Sequence, residues 1–381
     1  MNSNYGIINQ NSTYFMSIGG IVNICQSTVK IIFADNNKGS GVFIKFPRNN
    51  TTFKCLMTNN HVIKNSHIIK KEKIIISYNN QINSRQIILD NRDRIIECFD
   101  KNNLIDITIV EIIPKDNIEE EYFLSPDPQI YNYANYPSFL HSTIEVIQYP
   151  QGGNLSRSKG TLLEIFYNNL FAHDSQTLEG SSGSPIVLQG DNKVIAIHKG
   201  KIKDYPKNVG IFIGIVLNIM KDYKRNGEGK DYYPDGKIKY EGKFLNDKYE
   251  DDNGIFYFEN GNYYTGQFKN GKMNGNGYII DKNNNLITSG LFENGALVSE
   301  FNINDNDNHN LNYKNNNNDD IINEIKNVGS YAINNIKYRV IDYFFGERCE
   351  KCKHLKKRHS KVGEIHFACL DCPKENDLCT F

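Results

Sequence analysis

One nine-residue stretch limits what this chain can be: Thr177-Leu-Glu-Gly-Ser-Ser-Gly-Ser-Pro185, followed by the apolar run Ile186–Leu188. Gly180 and Gly183 frame Ser182, and glycine permits backbone conformations that a Cβ resists, so successive N–H groups can turn toward one point. A serine hydroxyl is a weak nucleophile at neutral pH. It needs a base beside it and donors for a developing oxyanion. Two upstream stretches offer partners. Thr58-Asn-Asn-His61-Val-Ile63 ends an apolar strand on a histidine, and Leu104-Ile-Asp106-Ile-Thr-Ile-Val-Glu-Ile112 opens an alternating strand with an aspartate. The order along the chain is His, Asp, Ser, with 45 residues from His61 to Asp106 and 76 from Asp106 to Ser182.

Subtilisin-like and α/β-hydrolase folds use other orders, whereas chymotrypsin-like double β-barrels use this one. On these three motifs, residues 14–222 resemble the chymotrypsin-like (trypsin-like) serine peptidases, closest to their glutamyl endopeptidase branch. The resemblance implies a mainly β fold, one barrel carrying His61 and Asp106 and a second carrying Ser182. It also implies roles. His61 would take the Ser182 proton, Asp106 would hold the imidazole in the useful tautomer, and the N–H groups of Gly180 and Ser182 would form the oxyanion hole. Thr177, five positions before the nucleophile, and His198 in Ala196-Ile-His-Lys-Gly200 fall where glutamyl endopeptidases contact an acidic P1 side chain. Glutamate is therefore the expected P1 residue and glutamine the second choice. Ser181 stands where trypsin-type enzymes carry an Asp that pairs with a newly cut N-terminus, so zymogen cleavage is not expected to be needed.

The 381 residues suffice for two or three domains, and 44 basic residues balance 44 acidic ones. That balance gives no reason to expect a nucleic-acid partner. The opening residues lack a basic stretch followed by an apolar one, and Cys25, Cys55 and Cys98 form an odd, scattered set. Reduced thiols and a cytoplasmic location, with the nucleus second, are the expectation. Residues 1–16 read as a flexible tail and 17–222 as the protease domain. Its first barrel is expected from strands Ile21–Ala34, Gly41–Phe46, Phe53–Thr58, Ile74–Tyr78, Gln86–Asp90, Asp93–Phe99 and Asp106–Ile112. Pro114–Pro137 reads as the connection. The second barrel is expected from Ser142–Gln148, Gly160–Tyr167, Pro185–Leu188, Val194–His198 and Phe212–Ile215.

From about residue 227 a period takes over. Tyr240-Glu-Gly242-Lys-Phe244, Tyr264-Thr-Gly266-Gln-Phe268 and Thr288-Ser-Gly290-Leu-Phe292 repeat every 24 residues, with Asn270-Gly271 and Asn294-Gly295 as hairpin turns. The first unit has Asn246-Asp247 at that turn. Residues 227–300 resemble three MORN repeats, which implies a β-hairpin array attaching to a protein or a membrane surface; a spacer packed on the protease is the plainer reading. Residues 304–320 are an Asn/Asp-rich linker, and 321–345 have the apolar spacing of an amphipathic helix.

Residues 346–381 hold Cys349-x2-Cys352 and Cys369-x2-Cys372, a spacing suited to structural zinc, with Cys379 beyond. The run resembles a ZZ-type zinc finger, which implies a site for a basic peptide tail. The chain departs from that pattern, so one zinc on four cysteines is the expectation, with no cofactor for catalysis. The whole reads as an intracellular serine endopeptidase with targeting modules; the alternative is a catalytically silent, protease-like scaffold binding proteins or peptides.

Overall fold

The computed structural model describes residues 18–101, 105–166, 169–201 and 205–301, together with the strand segments 359–362, 366–369 and 378–379. It begins with α1 (Ile18–Ser27), then β1 (Thr28–Phe33), β2 (Lys38–Arg48), β3 (Thr51–Thr58), α2 (Asn65–Ile69), β4 (Lys73–Tyr78), β5 (Asn83–Ile88), β6 (Ile96–Lys101) and β7 (Ile105–Glu111). The expected strand Ile21–Ala34 is therefore half helix. Ser27 and Thr28 donate their hydroxyls to the carbonyls of Asn23 and Ile24, four residues back, which completes the helix end. An apolar run this short has no periodicity that separates a buried helix from a strand.

The strands form one antiparallel sheet in the order β5-β4-β1-β2-β3-β7-β6. Among the described residues no ladder joins β5 to β6, so the first of the two expected barrels is a seven-stranded sheet without closure. Ile87 of β5 and Ile96 of β6 share one buried cluster with Val29, Phe43, Leu56, Ile74 and Val110. The β5–β6 connection is held by Arg94, whose guanidinium forks onto Asp116 at 2.6 and 2.9 Å and reaches the Glu111 carbonyl. Both charges are buried, and the bidentate geometry is what makes that tolerable.

Short 3-10 turns between Pro114 and Phe139 lead to β8 (Thr143–Gln148), β9 (Ser156–Phe166), β10 (Leu170–His173), β11 (Pro185–Leu188), β12 (Val194–Lys201) and β13 (Asn208–Phe212). These six close into a barrel in the order β10-β13-β12-β11-β8-β9. Strand β10 was not expected, because all four of its residues are buried and it shows no alternation. The expected strand Phe212–Ile215 meets β13 only at Phe212, and α3 (Gly214–Lys221) occupies its end. Val216, Leu217 and Met220 sit one helical face apart and are buried, which favours a helix there.

The repeats follow as β14 (Gly227–Tyr232), β15 (Ile238–Leu245), β16 (Lys248–Tyr249), β17 (Asp251–Tyr257), β18 (Tyr263–Lys269), β19 (Lys272–Ile280), β20 (Leu286–Glu293) and β21 (Ala296–Glu300). They make a single sheet in chain order, with β16 pairing beside β15. Separately, β22 (His359–Val362), β23 (His366–Cys369) and β24 (Leu378–Cys379) form a three-stranded sheet. The tail 1–16, the linker 304–320, the helix 321–345 and Cys349, Cys352 and Cys372 lie outside the described residues. Among those described, no helix is long and apolar enough to cross a membrane.

Candidate active site

Asp106 is the second residue of β7 and is buried. Its Oδ2 lies 2.7 Å from His61 Nδ1, and its Oδ1 accepts the His61 backbone N–H at 2.9 Å. The Asn59 amide donates to the Asp106 carbonyl at 2.8 Å. Strand β3 pairs with β7 up to Thr58–Thr108, so the turn leaving β3 is pinned where the carboxylate emerges. The imidazole is half exposed and the carboxylate is not. Burial works against the Asp106 charge. The hydrogen bond and charge of His61, the Lys199 ammonium and the His61 N–H outweigh it and hold the carboxyl at about 2.

Ser182 belongs to the loop before β11. Gly180 and Gly183 have φ of +84° and +88°. A Cβ on Gly183 would stand 2.1 Å from the Ser40 carbonyl oxygen, so only glycine fits. Ser40, on β2, is the clamp between sheet and barrel. Its N–H donates to the Ser182 carbonyl, its hydroxyl donates to the Gly180 carbonyl, and its own carbonyl accepts from Thr58. Among the described residues no hydrogen bond uses the N–H of Gly180 or of Ser182. The Ser182 hydroxyl donates at 3.4 Å to the carbonyl of Lys199, and no hydrogen bond joins it to His61. Loose geometry of this kind is common before substrate binds. Ser181, beside Ser182, bonds within its own turn among the described residues, to Leu178 and Ser184.

The two residues expected to contact P1 are not equivalent. Thr177 lines a cavity of about 600 Å³, together with Gln148, Arg157, His173, Ser175 and Asn208. His198 is buried behind the cavity wall, where its Nδ1 meets Nε2 of the wall residue His173 at 3.2 Å. Burial, then His173 and His61, push His198 down to about 3; burial pushes His173 down to about 4. Both rings are neutral at pH 7. Gln148 Oε1, His173 Nδ1, Ser175 Oγ and Asn208 Oδ1 are buried without a partner, four of nine such atoms among the described residues, and all four belong to the cavity wall. Unpartnered buried polar atoms are costly, and that cost is concentrated on this cavity wall.

Ser40, Thr58, His173 and Lys199 escaped the sequence reading. Ser40 sits between two glycines and reads as a turn, and His173 ends a strand with no alternating signal.

Residues 39–197 match the family model of the trypsin-like peptidase domain, a span that includes His61, Asp106 and Ser182. The chain therefore carries a trypsin-like peptidase domain. Among solved structures, it is similar to the inactive form of a serine-to-alanine mutant of Rv3671c from M. tuberculosis H37Rv. That match has 17% identity, 53% of this chain, 89% of the other and a TM-score of 0.37. It is also similar to the serine endoprotease from Yersinia pestis, with 16% identity, 59% of this chain, 78% of the other and a TM-score of 0.40. No curated protein matches the sequence.

Proposed function

We propose that the domain is a serine endopeptidase in which Ser182 attacks the peptide carbonyl, His61 accepts its proton and returns it to the leaving amine, and Asp106 orients and balances the imidazole. The observation that carries this reading is the pair of hydrogen bonds, one from the backbone N–H and one at Nδ1, that joins His61 to both oxygens of buried Asp106. With Nδ1 bound to Asp106, Nε2 is the nitrogen left to take a proton. The free N–H groups of Gly180 and Ser182 would each contribute about 2.7–4 kcal/mol to oxyanion stabilisation. Labelling by a fluorophosphonate probe tests the reading: it is expected in the natural protein and absent in Ser182→Ala. No labelling, with partner capture intact, would assign a silent scaffold instead.

The P1 side chain would enter the cavity at Thr177. Lys201 and Lys207 line it with the single acid Asp174, while Arg157 there is paired with Glu145, and the two lysines support glutamate before glutamine. A peptide-library cleavage profile tests this, and cleavage after apolar residues would remove it. For the repeats, the 24-residue sheet period supports MORN-type attachment. For the terminus, the reading is one structural zinc on Cys349, Cys352, Cys369 and Cys372, with Cys379 beyond them. Strands bearing Cys369 and Cys379 pair through Ala368–Leu378. Stoichiometric zinc, and loss of tertiary signal on chelation, are the expected results.

A further inference from the structure

Lys199 meets two members of the proposed triad at once. Its Nζ lies 3.1 Å from Asp106 Oδ2, the same oxygen that His61 Nδ1 approaches at 2.7 Å. Its carbonyl accepts the Ser182 hydroxyl. The lysine side chain is 14% exposed and the carboxylate 9%, so water and salt screen the pair weakly. The charge count then matters. One carboxylate faces two cationic partners whenever His61 is protonated, so the imidazolium forms against an ammonium that already holds the shared oxygen.

We infer that Lys199 is a positioning residue that keeps His61 in its neutral, base-competent form to lower pH than Asp106 alone would allow. This rests on the endopeptidase reading. The other groups facing the imidazole do not substitute for it. His198, next on β12, is buried and neutral across this range, and Asp100, the β6 partner of Asp106, is exposed. From the serine loop comes only the Ser182 hydroxyl, which does not titrate here.

Lys199→Met removes the charge and keeps the apolar stem; Lys199→Arg keeps the charge. The acid limb of kcat/KM is expected to move up by roughly one pH unit in Lys199→Met, about a tenfold loss below both limbs, and to stay within a few tenths in Lys199→Arg. An unmoved limb in Lys199→Met, or an equal move in Lys199→Arg, overturns the inference. Nitrogen-detected NMR titration of the His61 ring in a Ser182→Ala background gives the same comparison without turnover. If the natural protein shows no Ser182-dependent hydrolysis, the endopeptidase reading falls, while the ring titration still decides whether Lys199 opposes protonation of His61.

Discussion

The serine site and the hairpin array are built on opposite scales. His61, Asp106 and the pair Ser182 and Lys199 come from three separate stretches of the chain, whereas the array makes the same contacts every 24 residues. Tyr240 and Tyr264 are both fully buried, and each donates its hydroxyl at 3.0 Å to the carbonyl three residues on, Lys243 or Gln267. Phe268 meets Tyr240 edge-on at 5.1 Å, and Phe292 meets Tyr264 at 4.9 Å, so each unit packs on the next. The turns repeat as well: Asn270-Gly271 and Asn294-Gly295 are left-handed at both residues, and so is Asn246-Asp247. At Asp247 the repeat breaks its own rule. Its carboxylate takes Arg48 at 2.6 Å, Asn49 at 2.8 Å and the Arg225 N–H at 2.8 Å, fastening the first hairpin to the β2–β3 turn. A residue that local geometry disfavours is kept because a distant part of the molecule uses it.

Glycine substitutions should separate the two regions most strongly. Gly183→Ala drives a Cβ into the Ser40 carbonyl and is expected to cost about 3 kcal/mol or more and abolish probe labelling. Gly295→Ala has the same handedness but open space around it, so denaturant midpoints should report only about 1 kcal/mol. Equal losses would break the comparison.

Acid should find the barrel next. His173 and His198 titrate lower folded than their unfolded value of about 6.5, so the unfolded chain binds more protons below that pH. Their stabilisation is complete above about 6.5 and falls toward pH 4, by up to about 1.4 kcal/mol per unit for each ring. His173→Gln should lose one ring's share of that slope, read from unfolding curves at several pH values. Tyr-lined packing between repeats has no such dependence.

Asp247→Gly installs the better turn residue and removes the docking bonds. Because Asp247 is partly exposed, the expected net loss is about 1 kcal/mol in thermal unfolding; a gain would mean the docking contributes nothing. Smallest, and a test of the period itself, Tyr240→Phe and Tyr264→Phe should each cost about 0.5–1.5 kcal/mol and match one another.

Alternation made most strands legible. Strands β2 to β7 and β8, β9, β11 and β12 overlap the stretches where apolar and polar residues alternate or run between turn signals. The failures came where that signal is missing: at α1, read as strand, at the all-buried β10, and at α3, whose face is recognisable only once Ile130 and Tyr136 pack near its start.

Residue type and order alone singled out His61, Asp106 and Ser182, because a weak nucleophile, a proton acceptor and an orienting carboxylate are chemically distinct even in a linear string. The 24-residue period likewise needed no coordinates, since each unit repeats its own local contacts. Ser40, His173, Lys199 and Asp247 were decided only by the folded chain. Their partners lie between 25 and 199 residues away, and nothing in a serine, a lysine or an aspartate announces which distant carbonyl or carboxylate closure will bring to it.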